Sequence, residues 1–247
     1  MSHLKTAKEL QQLSYVISKV YYKQCCIVGA YFVALVMFVD VCFWRNFDLL
    51  VAIGEQYSYK IFYAIDWSIN ITLAYALLLS LLMVFKIIHD SDLNGKPGTN
   101  KETYLYVKSH LNVVLITGFY ALSKTFLWGL LFIVPGVFAG VRYNFSVIEV
   151  FLMNTTPREA IEKSKDIVNH HWWHCFRLVF SVIVVLLMVV YSHGSFAYSM
   201  NEALQLKNGT IWLYLIDFAL VSLIWCVVVF LAAFYYELYK DMRSKIT

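Results

Sequence analysis

The sequence predicts an all-α, polytopic membrane protein with about six transmembrane helices and one amphipathic helix on the cytoplasmic face. Three observations carry that expectation. The chain is 60% hydrophobic, 17% aromatic and only 15% charged, with a mean hydropathy of +0.64, against roughly 25% charged in an ordinary soluble domain. Several apolar runs approach or exceed the roughly 20 residues that a helix needs to cross about 30 Å of hydrocarbon. The basic residues also collect in alternate loops, as the positive-inside bias requires.

The first element is the tail, about residues 1 to 23. Leu4, Ala7, Leu10, Ile17, Val20 and Tyr21 recur near helical spacing against a Lys, Glu and Gln face. This pattern suits an amphipathic helix lying along the inner leaflet. No small-x-small cleavage site follows, so the next run reads as a retained first crossing. Run length alone places the six crossings at about 24–43, 62–85, 111–134, 136–153, 175–192 and 211–236. Pro135-Gly136 separates the third from the fourth, with the proline in the first turn of a new helix and its predecessor out of helical geometry. A tight hairpin is the result.

Orientation follows from the loops. One side gathers Lys5, Lys8, Lys19, Lys23, Lys86, Lys96, Lys101, Lys108, Arg158, Lys163, Lys165, Arg177, Lys240, Arg243 and Lys245. The other has only Arg45, Lys60 and Lys207. Both termini and the segment 154–174 are therefore expected in the cytoplasm. The formal charge of +4 is spread through these loops and forms no basic patch interleaved with aromatics, so no nucleic-acid partner is expected. The five cysteines, Cys25, Cys26, Cys42, Cys175 and Cys226, have no paired spacing and form no disulfide or zinc framework.

Segment 154–174 contains TTPREAIEKSKDIVNHHWWH. Thr156, Pro157 and Glu159 make a capping box with proline at the first helical position. Ala160, Ile161, Ser164, Ile167 and Val168 then share one face, and charged residues fill the other. A cytoplasmic surface helix resting on the membrane is predicted. His170, His171, Trp172, Trp173 and His174 mark the headgroup level before the fifth crossing. His170 and His174 also have the i, i+4 spacing of a metal-binding helix, with His89, Asp90, Asp92 or His110 as possible third ligands. The zinc-protease pattern, however, needs Glu where this chain has His171, and the interfacial reading is preferred, with no metal expected.

VPGVFAGVRYNFSVIEVFLMNTTPREAIEKSKDIVNHHWWHCFRL resembles the block found in YciC-type bacterial inner-membrane proteins and in the related membrane domain of some glycerophosphodiester phosphodiesterases. Pro135, Gly136, Arg142, Tyr143, Glu159, Ala160, Ser164, Lys165 and Trp173 match, with the Thr156 cap preceding the second half. The resemblance implies an integral protein of the bacterial cytoplasmic membrane whose biochemical role is largely undefined. The phosphodiesterase relatives carry a separate soluble catalytic domain, for which the six-span reading leaves no room. No G-x-S-x-G, H-E-x-x-H or phosphate-cradling glycine loop is present, so no enzyme and no cofactor are expected.

Ionisable residues inside apolar runs are the remaining candidates, since each is costly in hydrocarbon unless paired or wetted. They are Asp40, Asp66, Lys124, Arg142, Glu149 and Asp217, all but Glu149 expected in the outer half of the membrane. Arg142, Ser146 and Glu149 share a face of the fourth helix. Thr117, Tyr120, Lys124 and Trp128 do so on the third, and Gly136 and Gly140 form a GxxxG. The fifth run carries no charge past Arg177 and is expected to face lipid. The cluster reads as structural salt bridges, with Asp217, Asp66 or Asp40 as partners of Arg142, or else as a solute pathway. The function expected is a non-enzymatic accessory or structural role in envelope upkeep, the alternative a small transporter or lipid-handling protein. Expected partners are membrane lipids and either another membrane protein or a second copy.

Overall fold

The computed structural model describes residues 5–39, 59–169, 171–184, 188 and 210–244. Among them there is no strand. The helices are α1 (Ala7–Val39), α2 (Tyr59–Asn94), α3 (Asn100–Leu131), α4 (Ile133–Tyr143), α5 (Ser146–Met153), α6 (Pro157–Asn169), α7 (Trp172–Val184) and α8 (Thr210–Arg243). Among the described residues four stretches are long and apolar enough to cross a membrane: Trp67–Asn94, Asn100–Leu131, Ile133–Met153 and Ala219–Arg243. Lys23–Val39 and Trp172–Val184 are shorter apolar helices. The chain is thus an all-helical protein with the helices of a membrane protein.

The N-terminal segment departs from expectation. It is no separate helix on the leaflet but the first part of α1, which continues unbroken into the apolar run. No proline interrupts it, and Thr6 with Glu9 caps its start: the Glu9 amide donates to the Thr6 hydroxyl at 3.3 Å and the Thr6 amide to the Glu9 carboxylate at 2.7 Å. Leu10 is fully buried, and Lys5 reaches Glu237 of α8 at 3.4 Å. Farther along, Gly29 lets α1 and α8 close. A Cβ there would lie 2.0 Å from the Trp225 indole nitrogen, which donates to the Cys25 carbonyl at 3.1 Å.

In the apolar body of α2, Ser68 and Thr72 return their hydroxyls to the carbonyls of Ala64 and Ser68, at 2.7 and 2.8 Å. Polar side chains are thereby satisfied within their own helix. Gly95, with φ +67, turns the chain, and Thr99 with Glu102 supplies a second reciprocal capping box at the start of α3.

The hairpin exists, but its break falls at Phe132 (φ −160, ψ 148), three residues before Pro135-Gly136. Pro135 sits inside the first turn of α4, where a missing N–H costs nothing, and the residue before it remains helical. What holds the hairpin is the glycine pattern. A Cβ on Gly136 would stand 2.6 Å from the Gly129 Cα, and one on Gly140 3.4 Å from the Thr125 methyl.

The fourth apolar run is likewise not one helix. It breaks at Asn144-Phe145 into α4 and α5. The Ser164 hydroxyl of α6 enters the break, accepting from the Phe145 amide at 3.1 Å and donating to the Arg142 carbonyl at 2.7 Å. Asn154, left-handed at φ 51, then reverses the chain so that α6 runs back along α5 and α4. The predicted capping box is present, with the Glu159 amide on the Thr156 hydroxyl at 3.4 Å and the Thr156 amide on the Glu159 carboxylate at 3.2 Å. The apolar face is also as expected, but its cover is different. Ala160, Ile161, Ser164, Ile167 and Val168 are buried within the protein, chiefly against α3, α4 and α5, and not laid on lipid.

In α7, Cys175 and Leu178 are buried while Phe180 and Ile183 are exposed. The fifth run therefore has a packed face as well as an open one. The buried core, including Ile87, Ile88, Val107, Phe145, Phe151, Val168, Tyr239 and Met242, draws on α2, α3, the α4–α5 break, α5, α6 and the end of α8. Large apolar residues along α2, α3 and α4, such as Ile71, Phe119 and Ile133, are exposed, as they are on helices whose solvent is hydrocarbon.

Candidate functional site

The α4–α5 break positions the most distinctive side chain of the molecule, Arg142. Its guanidinium packs on the Phe138 ring, 4.7 Å to the centroid, and Nη2 donates to the Asn169 side-chain oxygen at the end of α6. Nε is buried without a hydrogen-bond partner. Arg142 lines a cavity of about 420 Å³ together with Trp128, Val134, Pro135, Phe138, Ala139, Tyr143 and Lys165. One wall is apolar, and the other offers a guanidinium, a phenol and an ammonium. Lys165 is engaged by Glu162 at 3.2 Å, an exposed pair that holds the ammonium only weakly.

Among the described residues Arg142 bonds the side-chain oxygen of Asn169. Asp40 lies outside the described residues, as do the side chains of Asp66 and Asp217. Lys124 faces aromatic rings, 4.6 Å from the centroid of Tyr120 and 5.7 Å from that of Tyr143. The third-helix stripe divides, since Thr117 is fully buried and bonds its own Val113 carbonyl at 2.7 Å, whereas Tyr120 and Trp128 are exposed. The single face of Arg142, Ser146 and Glu149 is also split by the break. Ser146 bonds the Tyr143 carbonyl at 2.7 Å.

Glu149, 1% exposed, belongs to a different cluster. It accepts from Tyr239 at 2.9 Å and pairs with Arg243 Nε at 3.1 Å. Around it the end of α8 gathers Tyr236, Glu237, Tyr239 and Asp241, to which the sequence reading gave no role. Lys240 meets Asp92 at 2.6 Å, Tyr236 bonds His89 at 3.1 Å, and Asp241 accepts the Lys5 amide at 3.2 Å. The signal was there: Glu237 and Asp241 share a helical face at i, i+4, and both are buried.

Of the block that carries the resemblance, Pro135, Arg142, Tyr143 and Lys165 line the cavity, Gly136 packs on Gly129 beside the turn, and Ser164 sits at the α4–α5 break. Ala160 is fully buried beneath α6. Glu159 is exposed and acts as the cap, its carboxyl held below the usual range by the Thr156 amide and then by the Thr156 hydroxyl. Trp173 is 70% exposed, and the packing role falls to Trp172. Its ring stacks on Phe138 at 4.9 Å and its Nε1 donates to the Phe138 carbonyl at 3.4 Å. Asn169 and Trp172 are thus the site residues that sequence reasoning missed.

His170 lies outside the described residues. His89 is bonded to Tyr236 and His110 to Asn154 at 2.6 Å. Among the described residues no group of three His, Cys, Asp or Glu side chains is arranged to hold a metal ion. Comparison of the chain with protein-family models, curated proteins and solved structures finds no match.

Proposed function

We propose that the protein is a non-enzymatic, multi-pass component of a bacterial cytoplasmic membrane that holds an anionic phospholipid at the Arg142 cavity. In this reading six apolar segments are embedded, both termini and α6 lie on the cytoplasmic side, and the role is accessory or structural in envelope upkeep. The observation that carries it is the cavity itself, with Arg142 and Lys165 beside an apolar wall of Trp128, Val134, Pro135 and Phe138. A guanidinium beside an ammonium suits a phosphate group, and the apolar wall suits the start of an acyl chain. The positive-inside distribution of Lys and Arg and the resemblance to YciC-type proteins support the sidedness and the compartment. Transport through a line of charges is the second reading. The described partners of Arg142 and Lys124 are an amide and aromatic rings, which favour holding over conduction.

The test is native mass spectrometry of protein purified in mild detergent and offered phosphatidylglycerol or phosphatidylcholine. Wild type retains phosphatidylglycerol preferentially, and R142A/K165A loses the preference while remaining monodisperse. Equal retention by both proteins overturns the proposal.

A further inference from the structure

A second cavity, of about 420 Å³, runs between α1 and α2 and shares no lining residue with the one at Arg142. Val28, Phe32 and Leu35 form one wall, and Ala76, Leu79 and Met83 the other. Each trio recurs at a spacing of three or four residues, so each is a single face of its helix. From first residue to last, either wall covers about 10 Å at about 1.5 Å per residue. One leaflet supplies roughly 15 Å of the hydrocarbon. Val28 is 4% exposed, whereas Tyr31 is 77% exposed, so the slot has a closed floor and a rim open to the side.

The start of α3 closes one end of this groove. Asn100, Lys101 and Tyr104 line the cavity, and among the described residues no later position of α3 does. Two contacts say which end it is. Gln24, one turn before Val28, donates from Nε2 to the Gly98 carbonyl at 3.3 Å, and Gly98 lies beside the Asp90 carboxylate, two turns beyond Met83 on α2. Asn100 and Lys101 therefore meet the groove at its end toward the α2–α3 loop. Away from that loop, toward Leu35 and Ala76, the walls are apolar. A phospholipid in the leaflet on the loop side presents headgroup and acyl chain in the same order.

The polar end has an ammonium to offer and two carbonyl oxygens to match. Lys101 is exposed and pairs with no carboxylate among the described residues, which leaves its ammonium for a phosphate oxygen. Asn100 Oδ1 and Gln24 Oε1 are buried without a hydrogen-bond partner. An amide oxygen only accepts, and an ammonium, with three donors and no acceptor, is its complement. A bond from a charged donor is also roughly twice as strong as one from a neutral hydroxyl. Glu102 follows Lys101 in the same turn, so the end carries charge of both signs, as a zwitterion does. An anion joined to an N–H-bearing cation is the chemistry of a phosphoethanolamine headgroup.

We infer that the α1–α2 groove is a site for one aminophospholipid of the leaflet on the side of the α2–α3 loop. Its acyl chain lies between the two helices, its phosphate meets Lys101, and its ammonium donates to the oxygens of Asn100 and Gln24. The site is separate from the Arg142 cavity and selects a different headgroup. What it reads is the N–H group, so full methylation of the headgroup nitrogen removes the match while leaving phosphate and chains as they were.

The test offers the full chain, in mild detergent, phosphatidylethanolamine and phosphatidylcholine with identical acyl chains, and native mass spectrometry reads what is retained. Wild type should keep phosphatidylethanolamine over phosphatidylcholine by about tenfold, a factor within reach of one charge-assisted hydrogen bond. Arg142→Ala/Lys165→Ala should show the same preference, and in that variant phosphatidylethanolamine should also be kept over phosphatidylglycerol. Asn100→Leu removes the oxygen at similar size and should lose most of the preference, and Ala76→Trp, which fills the apolar end, should lose both lipids. Equal retention of the two lipids by wild type overturns the site. So does phosphatidylglycerol held as well as phosphatidylethanolamine in Arg142→Ala/Lys165→Ala, an unchanged preference in Asn100→Leu, or a wild-type dimer that Ala76→Trp dissociates, which would put a second copy in the groove. Should Ala76→Trp not stay monodisperse, phosphatidylethanolamine with a diazirine on its acyl chain is photolysed with wild type. Adducts are expected on the peptides holding Val28 to Leu35 and Ala76 to Met83, and adducts confined to other peptides overturn the site.

Discussion

Replacing Ser164 with alanine isolates the contact that joins α6 to the broken fourth segment. The substitution removes one oxygen and no carbon, so it opens almost no cavity. The loss is then one of hydrogen bonding. Ser164 and Phe145 are both fully buried, and the hydroxyl serves two backbone groups, the Phe145 amide at 3.1 Å and the Arg142 carbonyl at 2.7 Å. A buried group left without its partner costs about 1–3 kcal/mol, so two such groups predict a destabilisation of about 2–6 kcal/mol. Ser109→Ala is the control: that hydroxyl also bonds a backbone carbonyl, that of Tyr106, at 2.8 Å, but it is exposed, and a change within about 0.5 kcal/mol is expected. Reversible unfolding in mixed micelles gives the free energies, and hydrogen exchange at the Phe145 amide reports the site. A loss for Ser164→Ala no larger than that of the control, with unchanged exchange at Phe145, would refute the reasoning.

Further outcomes follow from other contacts. Gly29→Leu should cost about 1–3 kcal/mol or more through overpacking against Trp225, seen as a lowered unfolding midpoint and a shifted tryptophan emission. Arg243→Ala leaves Glu149 buried with only the Tyr239 hydroxyl and should cost about 3–5 kcal/mol, whereas adding Glu149→Gln should recover part of that loss in the same unfolding assay. Gly136→Ala places a methyl against the Gly129 backbone and should separate α3 from α4, measured as a longer distance between labels at the exposed positions Leu122→Cys and Val137→Cys. The Glu159 carboxyl is lowered from its ordinary value of 4.5, so its stabilisation is present above that value and is lost as pH falls through the lower, folded one. Amides at the start of α6 should therefore exchange faster in acid, after correction for intrinsic rates, and Thr156→Ala should remove that pH dependence.

What the sequence disclosed was whatever rests on local chemistry. Thr156, Pro157 and Glu159 announce a helix start because a capping box needs only neighbours, and the apolar face of α6 follows from its period. The glycines of the hairpin were legible for the same reason. Partners were not. Arg142 suggested a carboxylate at its own depth on another crossing, and those acids lie outside the described side chains; among the described residues it meets Asn169, because the break at Asn144-Phe145 and the reversal at Asn154 bring α6 back alongside α4. Neither the break nor the reversal has a proline to mark it. The N-terminal segment was placed on the leaflet since its pattern is amphipathic, yet the same pattern equally suits packing on α8. Only the acids at Glu237 and Asp241, far away in sequence, decide between the two.

The stitch at the α4–α5 break also has a direction in time. Ser164 lies 19 residues after the amide it caps, so a chain emerging from the ribosome presents residues 133 to 153 before that hydroxyl exists. During this interval the Arg142 carbonyl and the Phe145 amide have only water or a straight helix to satisfy them. The bend belongs to the finished protein, and it is made when α6 arrives. A chain interrupted before Ser164 is one in which this stretch still lacks the contact that distinguishes α4 from α5.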